Sequence, residues 1–404
     1  MGMPLDLSVF RETPSRRTVV RLLLATPLLS GCAGGGLSTD LFSSGPAVPA
    51  GPPQQPTAVG TGQVKVGVIL PLSASGNAGA AAQSMKNAAE MALAEFQNPN
   101  IQLLIKDDGA SAQGAQQAAQ QAADEGAEII LGPLFALSVP AAAQVARGRN
   151  LPMIAFSNDS SVAGRGVNLL SFLPESDVNR IVDYAAGTGK RSFAALAPDN
   201  AYGAVAEVAF KQATARRGGR IVVFEKYGAD RAQIQAPART VAQALGGADA
   251  LFLPDDGEAL PVVAQALTSA GANLKRIQLI GTGLWDHPRV FADASLHGGL
   301  YAGPDPAGFR AFAGRYRSRF GGDPVRTATL SYDAVALVAA LVKTQGPQRF
   351  APEVLTNPSG FAGIDGLFRF RADGTNERGL AVMRVTSSGG QIVAASPKSF
   401  GNST

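Results

Sequence analysis

Reactive side chains are scarce in this 404-residue chain, which has one cysteine, one tryptophan and two histidines. A single cysteine excludes a disulfide framework, and with two histidines it cannot furnish a zinc finger or a His-rich metal site. Charge is sparse too, at 16% of residues, against roughly 25% in an average soluble chain. The net charge is +4, and half of it comes from residues 1–31, where Arg11, Arg16, Arg17 and Arg21 face only Asp6 and Glu12. The remainder is close to neutral, which excludes a basic face for nucleic acid. Nowhere does an apolar run reach the roughly 18 residues of a membrane-spanning helix. What is abundant is apolar surface, 46% of residues. That suffices for a large core in two or three domains and excludes wholesale disorder.

The cysteine has a context. Arg16, Arg17 and Arg21 form a basic region, and Val19 to Ser30 is a short apolar stretch that ends in Leu29-Ser30-Gly31-Cys32. This arrangement resembles a bacterial lipobox, which implies a signal peptide over residues 1–31 and a lipid-anchored Cys32. The other reading is an incidental cysteine behind an ordinary export signal. Ser15-Arg16-Arg17-Thr18 is also similar to a twin-arginine export signal, although paired arginines occur in many basic leaders. Residues 32–62 are rich in Gly, Ser, Pro and Gln, and Pro46, Pro49, Pro52, Pro53 and Pro56 deny them a helix. They read as a flexible tether.

Beyond the tether, apolar strands alternate with helices. Val64 to Leu70, Ile101 to Ile105, Glu128 to Leu131 and Met153 to Phe156 are β-branched or apolar runs. Helical patterns separate them at Ala80 to Phe96, Ala112 to Gly126 and Ser138 to Arg147. The pattern then restarts. Strands are expected at Arg191 to Leu196, Arg220 to Tyr227, Ala250 to Leu253, Gln278 to Gly281 and Leu300-Tyr301. The intervening helices fall at Ala201 to Arg217, Ile234 to Leu245 and Ala259 to Ala270. Two further helices, Pro306 to Phe320 and Ser331 to Thr344, precede three antiparallel strands, Leu367 to Phe370, Ala381 to Val385 and Gln391 to Ala394. A turn at Asp373-Gly374 separates the first two of these. Continuous apolar strands with helical crossovers indicate parallel sheets covered on both faces, so the class is α/β with two lobes and a β tail.

The same segments are poor in catalytic patterns. No G-x-S-x-G elbow presents a serine, no G-x-x-x-x-G-K-[ST] loop cradles phosphate, and Gly76-Asn77-Ala78-Gly79 is not a full dinucleotide fingerprint. Within Asp107-Asp108 and Asp255-Asp256, neighbouring side chains on an extended chain point to opposite faces. Each pair therefore offers one usable carboxylate, or solvated loop ends. We expect no enzyme, no cofactor and no metal site. Binding is what the architecture favours, because ligands of open α/β sheets collect beyond the carboxyl ends of strands. The polar segments there include Ser73 to Gly76, Leu134 to Ser138, Ser157 to Asp159, Asp199 to Tyr202, Asp255-Asp256 and Thr282 to Asp286.

Five segments carry a resemblance. They are Val66-Gly67-Val68-Ile69-Leu70-Pro71-Leu72-Ser73, Ile130-Leu131-Gly132-Pro133-Leu134, Leu151-Pro152-Met153-Ile154, Pro198-Asp199-Asn200-Ala201-Tyr202-Gly203 and Ser331-Tyr332-Asp333-Ala334-Val335. In order and spacing, residues 63 to about 398 resemble the type I periplasmic-binding-protein superfamily, particularly its leucine/isoleucine/valine-binding branch. The resemblance implies two Rossmann-like lobes with parallel sheets joined by a three-crossover hinge. Lobe 1 would be residues 63–178 and 304–345, and lobe 2 residues 179–303 and 346–398. It also implies an amino-acid-like ligand and an ABC importer as partner. Family site positions fall on Ala136, with Ser138 two residues on, on Ser157 and Asp159, and on Tyr202. The acidic residue for the ligand ammonium falls near Gly283, and Asp255, Asp256 or Asp286 could substitute for it. An aspartate at position 159 would repel a ligand carboxylate. Ser73 completes the candidate set with Trp285, which reads as a cleft wall, a partner anchor or a core residue. A rival within the same fold is similar to lipoprotein activators of a peptidoglycan synthase, which fits the long tether and the IDGLFRFRADG segment at residues 364–374.

Overall fold

The central strands form where β-branched and aliphatic residues dominate, and both faces of those strands are covered. The structure, a computed structural model, describes residues 57–228 and 233–400. The signal peptide, Cys32 and the tether up to residue 56 lie outside the described residues. The first sheet contains β1 (Thr57–Val59), β2 (Val64–Leu70), β3 (Ile101–Asp107), β4 (Ala127–Leu131), β5 (Met153–Ala155) and β6 (Val167–Leu169), in the order β1-β3-β2-β4-β5-β6. All its pairs are parallel except β1 with β3. The crossovers are α1 (Gly76–Glu95), α2 (Ala112–Asp124) and α3 (Val139–Gly148). The pairing of Ala58 with Leu104 corrects the expected tether boundary, because residues 57–62 already belong to the folded body. Gly132, at the end of β4, has φ +101°, and a Cβ there would lie 2.1 Å from the Ile69 carbonyl. Only glycine lets the loop leave the sheet at that point.

The second sheet is nested between two passages of the first lobe. Its strands are β7 (Ser192–Pro198), β8 (Arg220–Tyr227), β9 (Ala250–Phe252), β10 (Gln278–Gly281) and β11 (Leu300–Gly303). The helices α4 (Pro174–Gly187), α5 (Ala201–Arg216), α6 (Gln235–Ala244), α7 (Leu260–Ser269) and the short α8 (Pro288–Ala292) accompany them. The chain then returns through α9 (Pro306–Phe320), α10 (Ala328–Thr344) and α11 (Pro352–Leu355). A small sheet follows, β12 (Phe361–Gly363), β13 (Gly366–Phe370) and β14 (Asn376–Arg378), and then a final hairpin, β15 (Ala381–Thr386) and β16 (Gly389–Ala394). The hairpin completes the second sheet in the order β16-β15-β11-β10-β9-β7-β8, with only β15 and β16 antiparallel. Among the described residues no helix is long and apolar enough to cross a membrane.

Packing relocates two of the expected boundaries. Leu355, Phe368 and Phe370 are buried with Val66, Ile105 and Leu337 in the core of the first lobe. Residues 346–378 therefore belong to lobe 1, and the third crossing lies between β14 and β15 rather than at the expected boundary before residue 346. The Asp373-Gly374 turn accordingly joins β13 to β14, not to β15. The first crossing also comes earlier than residue 178. Val178, Ile181 and Val182 of α4 already pack with Phe193, Phe210 and Phe252 of the second lobe. Sequence reading missed this helix, which starts at Pro174, where proline's missing N–H is tolerated.

Candidate functional site

A cavity of about 700 Å³ opens between the lobes, and both contribute to its lining. Its walls come from the carboxyl ends of strands and the helix starts that follow, where the loops must leave the sheet. From the first lobe come the start of α1 at Asn77, the loop after β4 at Leu134 and Phe135, and Phe156 with Asn158 after β5. The 20-residue helix α1 is preceded by Ser75, whose side chain makes no cap hydrogen bond. Its first amides therefore present partial positive charge toward the cavity. From the second lobe come Asp177 of α4, Tyr202 at the start of α5, Gly283, Leu284 and Asp286 after β10, Tyr301 of β11 and Met383 of β15.

The floor is built on the crossings. Ser171 and Phe172 lie on the first crossing, and Arg326 with Thr327 precedes α10. The Arg326 guanidinium sits 4.5 Å over the Phe309 ring and 5.0 Å over the Phe172 ring. It pairs at 2.5 Å with Asp365, whose side chain is fully buried. Behind Phe172 lies Arg378, itself buried, whose Nε donates to the Ser171 carbonyl at 2.8 Å. Asp333 accepts from the Ile364 amide at 2.8 Å, and burial pushes its carboxyl up to about 7.

Carboxylates face this floor from the second lobe. Asp177 accepts from the Gly283 amide at 2.9 Å. Burial pushes its carboxyl up to about 7, opposed by that amide and by Arg378. Asp286 is exposed and accepts from the Tyr301 hydroxyl at 3.4 Å. Tyr202 donates to Thr282 Oγ1 at 2.8 Å, and burial raises its hydroxyl far above the ordinary tyrosine value. The cavity thus has an arginine and helix amides on one side, carboxylates on the other and aromatic rings between. It suits a small molecule bearing charge of both signs on an apolar body.

Of the sequence-predicted residues, Tyr202 and Asp286 line this cavity. The others sit nearby with partners of their own. Ser73 donates its amide to Asp107 at 3.2 Å, and Ala136 is half-buried in the loop before α3. Buried Ser138 donates to the Ser111 carbonyl at 3.3 Å. Ser157 and Asp159 close a local turn, the Asp159 amide donating to Ser157 Oγ at 3.1 Å. The Asp159 carboxylate accepts from the Ser161 amide. Asp255 is buried with Oδ2 unpartnered, and burial raises its carboxyl to about 6. The expectation of Trp285 as a cleft wall is corrected. Its ring is fully buried in the second lobe, with Nε1 donating to the Leu253 carbonyl at 3.0 Å. A Cβ on Gly281 would lie 2.1 Å from that indole, so glycine at the end of β10 makes room for it. Sequence reading missed Asp177, Phe135, Phe172 and Arg326. The sequence signal for Asp177 was only that of an acid in the first turn of a helix, where it commonly offsets the dipole.

Two α/β lobes are connected by three passages, with a cavity walled by strand ends of both. The chain belongs to the periplasmic binding protein family, which it matches over residues 63–391. Its fold is the type I arrangement of that family. It is similar to a putative branched-chain amino acid ABC transporter protein from Rhodospirillum rubrum at 19% identity, covering 82% of this chain and 99% of that one, with a TM-score of 0.72. An ABC transporter substrate-binding protein from Desulfitobacterium hafniense in complex with Leu superposes with a TM-score of 0.61 at 19% identity, covering 82% and 99%. A solute-binding protein from Rhodopseudomonas palustris BisB5 in complex with 3,4-dihydroxybenzoic acid does so at 0.58 and 20% identity, covering 83% and 98%. No curated protein matches the chain in sequence.

Proposed function

We propose that this protein is a non-catalytic solute receptor of the periplasm, held to a membrane through Cys32, that closes its lobes on a small ligand for an ABC importer. The observation that carries the reading is the interlobe cavity of about 700 Å³, with Arg326 on one side and Asp177 and Asp286 on the other. The ligand is an amino-acid-like molecule with an apolar or aromatic side chain. Its carboxylate meets the α1 amides and Arg326, its ammonium meets Asp177 beside Gly283, and its body packs on Phe135, Phe156, Phe172 and Tyr301. Acidic Asp177 stands where the family pattern has an acid near position 283, which supports an ammonium there despite the glycine.

A thermal-shift screen of the full chain against amino acids, aromatic acids, short peptides and muropeptides tests the reading. A ligand that binds only the native state raises the melting point. A saturable rise with an aromatic or branched amino acid, lost in the Asp177→Ala variant, is the expected outcome. No rise with any of them, together with capture of a peptidoglycan synthase, would replace the importer reading with the regulatory one. Mass spectrometry of detergent-extracted protein checks the anchor, which predicts acyl mass on Cys32 and is overturned by a free thiol.

A further inference from the structure

The first lobe carries a second cavity of about 740 Å³ at the end of its sheet opposite the cleft. The cleft lies beyond the carboxyl ends of β4 and β5. This pocket instead lies where the chain enters β5 and β6, at Leu151-Pro152 and Gly164 to Gly166. A second passage of the chain closes it with Phe350, the start of α11 and the end of β13. No ligand reaching the cleft occupies it, so its chemistry is independent.

That chemistry is one-sided. Arg147, Arg165 and Arg371 line the pocket, and no carboxylate does. Arg147 and Arg165 form no ion pair among the described residues. Arg371 shares Glu377, at 3.3 Å, with Arg369, which holds the same carboxylate at 2.8 Å. The opposite wall is apolar, formed by Leu151, Phe350 and Leu355.

Asn168 supplies the independent observation. It lies on β6, nine-tenths buried, and lines the pocket. Its strand neighbours Val167 and Leu169 turn into the core beneath α2 and α3. Asn168 takes the other face of the sheet, where Ile154 and Leu170 are apolar. Its amide makes no hydrogen bond to any described residue. The residue is buried but its amide atoms open onto the pocket, so their donor and acceptor capacity is free for a ligand there. The side chain therefore makes sense if it serves a ligand in the pocket.

We propose that this pocket is a second ligand site, for an amphiphile with a carboxylate or phosphate head. The head sits among Arg147, Arg165 and the Asn168 amide, and the apolar body lies on Phe350 and Leu355. The same chemistry is offered by a soluble acid and by an anionic lipid at a membrane surface. Calorimetric titration of the full chain with octyl phosphate tests the site, with octyl glucoside and inorganic phosphate as probes lacking one half of the chemistry. Saturable binding of octyl phosphate alone is expected. It should weaken roughly tenfold or more in Arg147→Glu/Arg165→Glu, because charge-assisted pairs dominate such recognition. Both side chains are exposed, so the melting point and the response to cleft ligands should stay as they are. Asn168→Leu should weaken binding while preserving the fold. Sedimentation with phosphatidylglycerol or phosphatidylcholine vesicles separates the sources. Binding to the anionic vesicles that is lost in the double variant assigns the lipid, and binding of octyl phosphate without vesicle binding assigns the soluble acid. No saturable binding of octyl phosphate, or equal binding by the double variant, overturns the proposal.

Discussion

From the first lobe the cleft receives Arg326, helix amides and the rings of Phe135 and Phe156, and from the second it receives Asp177, Asp286 and two tyrosines. Each lobe alone presents charge of essentially one sign. On the proposed reading, a ligand of mixed charge finds partners for both ends only when the two faces approach. The lobes differ inside as well. The first keeps a buried polar cluster under its half of the cleft, around Arg326, Asp333, Asp365 and Arg378. The second is held by hydrocarbon, with Phe210 stacked on Phe252 at 4.5 Å.

The comparison can be broken most forcefully in the second core. Phe252→Ala empties a fully buried ring site and should cost about 3–5 kcal/mol. Fluorescence of Trp285, which is buried in that lobe alone, should move to lower urea, while circular dichroism keeps a later step from the first lobe. A single shifted transition by both probes would instead show that the lobes unfold as one unit.

A smaller effect is expected at the floor of the cleft. Arg326→Gln strands the buried Asp365 carboxylate and should cost about 3 kcal/mol in urea titrations. It should also abolish the thermal shift from carboxylate ligands. Retention of that shift would assign the carboxylate to the α1 amides alone.

The smallest effect concerns Asp177. Its pKa of about 7 lies above the ordinary aspartate value of 3.8, so the native state binds its proton more tightly than the unfolded chain. Its contribution to stability is full below about pH 4 and is lost as pH climbs through 7. A ligand ammonium needs the ionised carboxylate, so affinity should rise up to about tenfold between about pH 6 and pH 8. Asp177→Asn should flatten that profile, and a profile unchanged in the variant would place the ammonium at Asp286.

Much of the frame was legible because local pattern and burial agree. Val64 to Leu70 is apolar but for Lys65, Ile101 to Ile105 is apolar but for Gln102, and they are paired central strands. Assignment of segments to lobes was less legible. Phe368 and Phe370 would suit either core, and only tertiary packing decides that they join Val66 and Leu337. The three-residue strand β1 lies next to a proline-rich stretch and offers no period to read. At the site, Tyr202 was visible from its place after a strand. Arg326, Phe172 and Asp177 sit on or beside crossings, where position in the cleft follows from how distant segments meet. Trp285 was ambiguous for a chemical reason, since a large ring with one donor suits a pocket wall and a core equally.

The nesting of the second lobe bears on how the chain is made. Neither core closes early, since lobe 1 waits for α10 and for Phe368 and Phe370, and lobe 2 for the hairpin β15–β16. A chain emerging from the ribosome therefore carries some 300 residues of incomplete lobes before either can finish. Such distant pairings slow folding. That delay leaves the apolar strands of both sheets without their final partners until nearly all of the described body has been made.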